Sequence, residues 1–232
     1  MTLQRSVPTA GVAHDAMPAQ PGAPAREQLT RGAPVVRDLR GRVRCAPYCL
    51  DFTAGDVVVV SGLPGSGKST LIRRAVRGRA IDSQNTRDSW AAALPRLLPY
   101  ALYRPLVRAA HYLGLWNALR SGESVVVHDC GTQIWVRRWL ARHAVSRGRA
   151  LHLILLDVTP EVARQGQRER GRGVSGYAFA RHRNAVARLL RDTEQGLLPA
   201  GCASAVLLDR PAAGALGRIS FTEAAAEAAA SR

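Results

Sequence analysis

The stretch DVVVVSGLPGSGKSTLIRR, residues 56–74, constrains this chain more than any other part of it. Its first half is a continuous β-branched run, the pattern of a strand buried on both faces of a parallel sheet. STLIRRAVRG (69–78) then reads as a helix stopped by Gly78. Between the two, Gly62-Leu63-Pro64-Gly65-Ser66-Gly67-Lys68-Ser69 matches G-x-x-x-x-G-K-[ST], in the strand–loop–helix setting that gives the pattern its meaning. Glycines let the backbone curl until successive N–H groups converge at a helix N-terminus, which makes a nest for an anion. In that arrangement Lys68 reaches the β- and γ-phosphates of a nucleotide and Ser69 offers its hydroxyl to Mg²⁺. Thr70 is placed for the α-phosphate. The phosphate-binding set is therefore Gly62, Leu63, Pro64, Gly65, Ser66, Gly67, Lys68, Ser69 and Thr70.

The rest of the chain alternates strand and helix. Strands are expected over 56–62, 79–82, 123–129, 150–158 and 203–209. Helices are expected over 69–78, 132–148, 159–173 and roughly 175–196, with a long stretch over 88–121 broken by Pro95, Pro99 and Pro105. Alternation of this kind predicts an α/β fold, a doubly wound and mainly five-stranded parallel sheet with helices on both faces. The folded domain is expected over 46–210. Residues 1–45, rich in Pro, Ala, Gly and Arg without apolar periodicity, read as a disordered or loosely ordered basic arm. Residues 211–232 read as a C-terminal tail or helix. The segment CLDFTAGDVVVVSG reads as hairpin-like.

The formal charge of +16 favours an anionic partner or substrate but does not demand nucleic acid, because the charge is spread along the chain. Lys68 is the single lysine among 33 Lys and Arg residues, so the loop uses a compact ammonium where every other basic position uses a guanidinium. The four cysteines, Cys45, Cys49, Cys130 and Cys202, lack the second pair that a zinc site needs and read as free thiols. No apolar run approaches the roughly 20 residues of a membrane span, and the N-terminal stretch has no apolar secretory core. A cytoplasmic protein is the expectation.

An NKxD-type guanine-reading segment and an LSGGQ-like signature are both missing, which sets aside GTPases and transporter ATPases. Three segments instead resemble the small kinases of the P-loop NTPase superfamily, the AAA-type group that includes zeta toxins, polynucleotide kinases and small-molecule kinases. They are the loop, VVVHDCGTQIWVRRWLARHAVSRGRALHLILLDV (125–158) and TPEVARQGQRERGRGVS (159–175). The resemblance runs from residue 56 to about 209. It implies transfer of the ATP γ-phosphoryl group to a hydroxyl with Mg²⁺, by positioning and charge stabilisation. It also implies that Asp129, at the end of the third strand, joins Ser69 around the metal or contacts substrate. A lid over about 160–178 is implied as well, carrying Arg164, Arg168, Arg170 and Arg172; Arg164 and Arg170 best match the pattern for stabilising transition-state charge.

The chain departs from the group at strand two. There the group carries D-x-x-R, its aspartate drawing the proton from the acceptor. Here Arg87 matches, but Gln84 holds the place of the acid and cannot act as a base. Asp82 is the available substitute. The segment 88–121, with two of the four tryptophans and three of the five tyrosines among arginines, is where the resemblance puts the acceptor site. A packed helical hairpin or an amphipathic surface helix would read the same way. His111 and His128 read as structural. Three functions stay open at this point: a Mg²⁺-dependent kinase with a hydroxyl-bearing acceptor, an ATPase or nucleotide-dependent switch that binds a protein or nucleic-acid partner, and an ATP-powered nucleic-acid binder.

Overall fold

The computed structural model describes residues 25–28, 35–42, 47–76, 80–81, 110, 112–129, 134–171 and 173–223. At its centre is β4 (Val57–Gly62), whose four valines are all at or below 2% exposure. It is flanked by β7 (Leu151–Leu156) on one side and β6 (Val125–His128) on the other. With β8 (Cys202–Leu208), β2 (Val35–Asp38) and β5 (Ala80–Ile81) these form a six-stranded sheet, β2-β8-β7-β4-β6-β5, in which every pair is parallel. The chain passes from β4 to β6 on one flank and then returns to β7 on the other. The C-terminal end of β4 is thus the switch point where such sheets open a crevice for ligand.

Alternation along these strands sorts the core into two layers. Val58, Val60, Ile154, Leu156, Val206 and Leu208 face α1 (Lys68–Ala75) and α6 (Arg210–Ala215). Val57, Val59, Leu151, Leu153, Leu155 and Leu207 face α2 (a helix over 112–120), α3 (Ile134–Ser146) and α5 (Gly176–Glu194). The two-residue period of a strand and helices on both faces require this division.

Four features differ from the sequence expectation. Val35–Asp38, inside the segment read as an arm, is an edge strand on β8. Arg40 clamps it there by bonding Asp38 and Asp157 at 2.6 Å each and Glu194 at 2.7 Å. Ala25–Gln28 is β1. The tail begins with α6 and then β9 (Leu216–Thr222), so ordered structure continues past residue 210. Leu216 and Ile219 bury themselves against α1, and Phe221 meets Phe52 with ring centroids 6.0 Å apart. Finally, β3 (Tyr48–Thr53) is not half of a hairpin with β4. It belongs to a second parallel sheet, β1-β3-β9, and a tight turn closed by Asp56 N–H donating to Thr53 O delivers the chain into the main one. Both outer strands, β1 and β9, pair with residues distant in sequence.

A buried polar trio ties the starts of the central strands together. His152 Nδ1 lies 2.8 Å from Ser204 Oγ and its Nε2 3.1 Å from Asp56 Oδ2, while Ala150 N–H donates to Asp56 Oδ1. All three residues are at or below 1% exposure. They sit at the N-terminal ends of the strands, away from the loop, and their hydrogen bonds to one another offset the cost of burying them.

Candidate functional site

The loop after β4 takes the curled shape that its glycines permit. Gly62, Gly65 and Gly67 have φ of 153°, 89° and 96°, values that side-chain-bearing residues rarely adopt. Ser66 N–H donates to Leu63 O at 3.0 Å, closing the turn. Gly67 caps α1 without a side-chain bond, and the first turn of α1 holds no acidic residue, so the amide donors and positive end of that helix are left for an anion.

Lys68 is 3% exposed and folds back over the loop, with Nζ donating to Gly62 O at 2.8 Å and Leu63 O at 2.7 Å. Its ammonium is therefore held at the mouth of the nest by carbonyls that an incoming phosphate oxygen can replace. Ser66 Oγ and Ser69 Oγ are both buried without a hydrogen-bond partner. A buried hydroxyl without a partner costs about 1–3 kcal/mol, and two in one loop fit a site whose natural partners are phosphate and a hydrated cation. The donor set at Ser69 thus suits Mg²⁺.

Asp129 follows β6, with its N–H donating to Val60 O at 2.9 Å. Its Oδ2 accepts from Arg137 Nη1 at 2.7 Å and from Ser61 Oγ at 3.4 Å. The ion pair is buried, the side chains being 7% and 11% exposed. The sequence pointed to Asp129 but not to Arg137, whose place one helical turn into α3 becomes meaningful only once α3 packs beside β6. Asp82 and Arg87, expected to act on the acceptor, lie outside the described residues, as does His111.

The segment expected to form a lid begins with α4 (Pro160–Arg168), started by Thr159 as cap and Pro160 in the first turn. It lies directly on the loop. A Cβ built on Gly65 would stand 2.0 Å from Ala163 O, and one on Gly166 would stand 2.5 Å from Gly65 O. Gln167 straps the contact, donating from Nε2 to Pro64 O at 2.9 Å and accepting at Oε1 from Val174 N–H at 3.0 Å. A glycine in the middle of a helical pattern was the one sequence signal of this close approach.

A cavity of about 450 Å³ opens beside the loop. Ser66 and Thr70 line it from the loop and α1, Glu169 and Arg170 from the lid, and Arg210 from α6. Arg74, also on its wall, donates to Ala213 O and to Leu216 O, the latter at 3.3 Å, and so fixes α6 and β9 against α1. The two lid arginines part company here. Arg170 faces the cavity, whereas Arg164 stacks on Phe179 at 4.8 Å and lines a separate hollow with Arg168. Arg172 lies outside the described residues.

Among solved structures, the PezAT chromosomal toxin–antitoxin system of Streptococcus pneumoniae is similar at 16% identity and a TM-score of 0.49, over 75% of this chain and 73% of that one. The tunicamycin resistance protein of Deinococcus radiodurans is similar at 15% identity and a TM-score of 0.38, over 58% and 80%. No curated protein gives a significant match. A family model described as an AAA domain matches residues 57–195, from the first valine of β4 to the end of α5. That match covers more than half of the chain, and with the glycine loop at the C-terminal end of β4 it identifies the chain as a member of this AAA-domain family of P-loop NTPases.

Proposed function

We propose that this protein binds ATP with Mg²⁺ and transfers the γ-phosphoryl group to a hydroxyl of a small molecule or nucleotide. The observation that carries the reading is the pair of buried, unpartnered hydroxyls, Ser66 and Ser69, in a loop over which the Lys68 ammonium folds back. Lys68 would exchange its two carbonyl partners for the β- and γ-phosphates. Ser69, with Asp129 behind it, would hold the Mg²⁺, which when bound offsets charge on the phosphates. Arg170 and Arg210 both line the cavity and would hold the phosphates or the base and sugar. Asp82 is the residue of this chain assigned to receive the acceptor proton, with Arg87 and Arg164 as further phosphate-side cations. Arg164 reaches that role only if the lid turns it off Phe179.

A second reading, an ATPase or nucleotide-dependent switch without a phosphorylated acceptor, is favoured by one observation: Gln84 stands where the family's proton acceptor is expected. Incubation with γ-labelled ATP, Mg²⁺ and pooled hydroxyl acceptors separates the two. Label on an acceptor, abolished by Lys68→Ala, supports the kinase. Tight ATP binding with no labelled acceptor overturns it in favour of the switch.

A further inference from the structure

Three of the four tryptophans gather on the face of the sheet opposite α1, and two of them, Trp116 and Trp135, take no part in the core cluster there. On α2, Tyr112, Trp116 and Arg120 recur every fourth residue; on α3, Trp135, Arg138, Trp139 and Arg142 follow the same helical stripe. The stripes meet where Tyr112 and Trp135 stand 5.3 Å apart between ring centroids. At the other end Arg147 donates to Arg120 O at 2.8 Å. Core contact falls mainly to other residues of the same helices, namely Leu115, Ala118 and Leu119 on α2 and Val136, Leu140 and Ala144 on α3, with Tyr112 and Trp139 packed against their edge. Trp135 is 58% exposed and Trp116 40%. A hollow of about 410 Å³ between the helices is lined by Tyr112, Trp135, Trp139, Arg138 and Arg142. Arg120 lies 4.6 Å over the ring of Trp116. Neither helix carries an acidic residue.

We propose that this groove binds single-stranded nucleic acid, with unpaired bases stacking on Trp135, Trp139 and Trp116 and phosphates meeting Arg120, Arg138 and Arg142. Rings that line a concave hollow suit the insertion of flat bases, and guanidinium groups interleaved with them suit a backbone carrying one charge per base. A lipid surface would instead select apolar tips projecting from a convex face. The groove lies on the opposite face of the sheet from α1 and the nucleotide cavity, so binding needs no ATP.

The test is fluorescence anisotropy with a labelled single strand of about 12 nucleotides, without nucleotide present. Binding should quench tryptophan emission. Trp135→Ala should weaken it about tenfold or more while Trp135→Phe retains most of it. The Arg138→Ala/Arg142→Ala variant should reduce the slope of log affinity against log salt by about 1.4. Trp135 is exposed, so its variants should keep the fold, checked by circular dichroism; were Trp135→Ala to unfold, the arginine variant decides. The proposal is overturned by equal affinity for an abasic strand, by affinity unchanged in the folded variants, or by capture of anionic vesicles in preference to the strand.

Discussion

Gly65 and Gly166 meet backbone to backbone, with no side chain between those two residues where the phosphate loop touches α4. A methyl group on Gly166 would reach to 2.5 Å from Gly65 O.

Gly166→Ala tests that contact, and two effects oppose each other. Alanine favours the helix by up to about 1 kcal/mol, while forcing apart two packed backbones costs about 1–3 kcal/mol. The clash is with a carbonyl rather than a flexible side chain, so the second effect wins. The variant is expected to unfold at lower denaturant and to bind a fluorescent ATP analogue more weakly; a gain in stability would contradict the contact.

The Asp129–Arg137 pair makes a sharper prediction. Removing Arg137 leaves a buried carboxylate with only Ser61 beside it among the described residues, at a cost of about 3–5 kcal/mol. Arg137→Met should show that loss in urea unfolding, and Asp129→Asn/Arg137→Met should recover most of it. If the double variant is as unstable as the single one, packing rather than charge is responsible.

Cys202 contributes to the alkaline limb of stability. Burial pushes its thiol up from the usual 9.0 to about 11, with the charge of Arg137 pulling the other way. Between those values the unfolded chain loses this proton and the folded chain keeps it, so stability falls as pH rises from about 9 to about 11, by on the order of 2 kcal/mol. Cys202→Ala should flatten that part of the profile. In the native protein at pH 8, Cys202 should react with a thiol reagent only as fast as the fold opens.

At the edge of the sheet the sign reverses. Hydrogen bonds from Arg40 hold the Asp38 carboxyl below its usual 3.8. The pair's contribution is fully present above that value and is lost as pH falls through the lower folded one. Arg40→Ala should move the acid unfolding limb to higher pH. Arg40→Lys should restore it only in part, since one ammonium cannot serve Asp38, Asp157 and Glu194 as a guanidinium fork does.

The centre of the fold was legible because its causes are local. A valine run, a glycine loop and a capped helix each declare themselves within a few residues, so β4, α1 and α4 stand where the sequence placed them. Val35–Asp38 and Leu216–Thr222 were not legible, because their strand character comes from β8 and β3, which lie far along the chain. Within the site the loop residues could be read directly, whereas Arg137 could not, since its role depends on how α3 meets β6. Arg164 and Arg170 looked equivalent in sequence. Six residues at the end of a helix are enough to send them to different hollows.

Arg74 also sets an order of events. The wall it fixes, from Arg210 to Leu216, is made about 140 residues after the loop that the wall faces. A chain emerging from the ribosome therefore completes its phosphate nest well before the cavity beside it. Until Leu216 is out, a nucleotide can lend the nascent domain little of the stabilisation that a bound ligand gives, and the valine-rich sheet has to hold by its own packing.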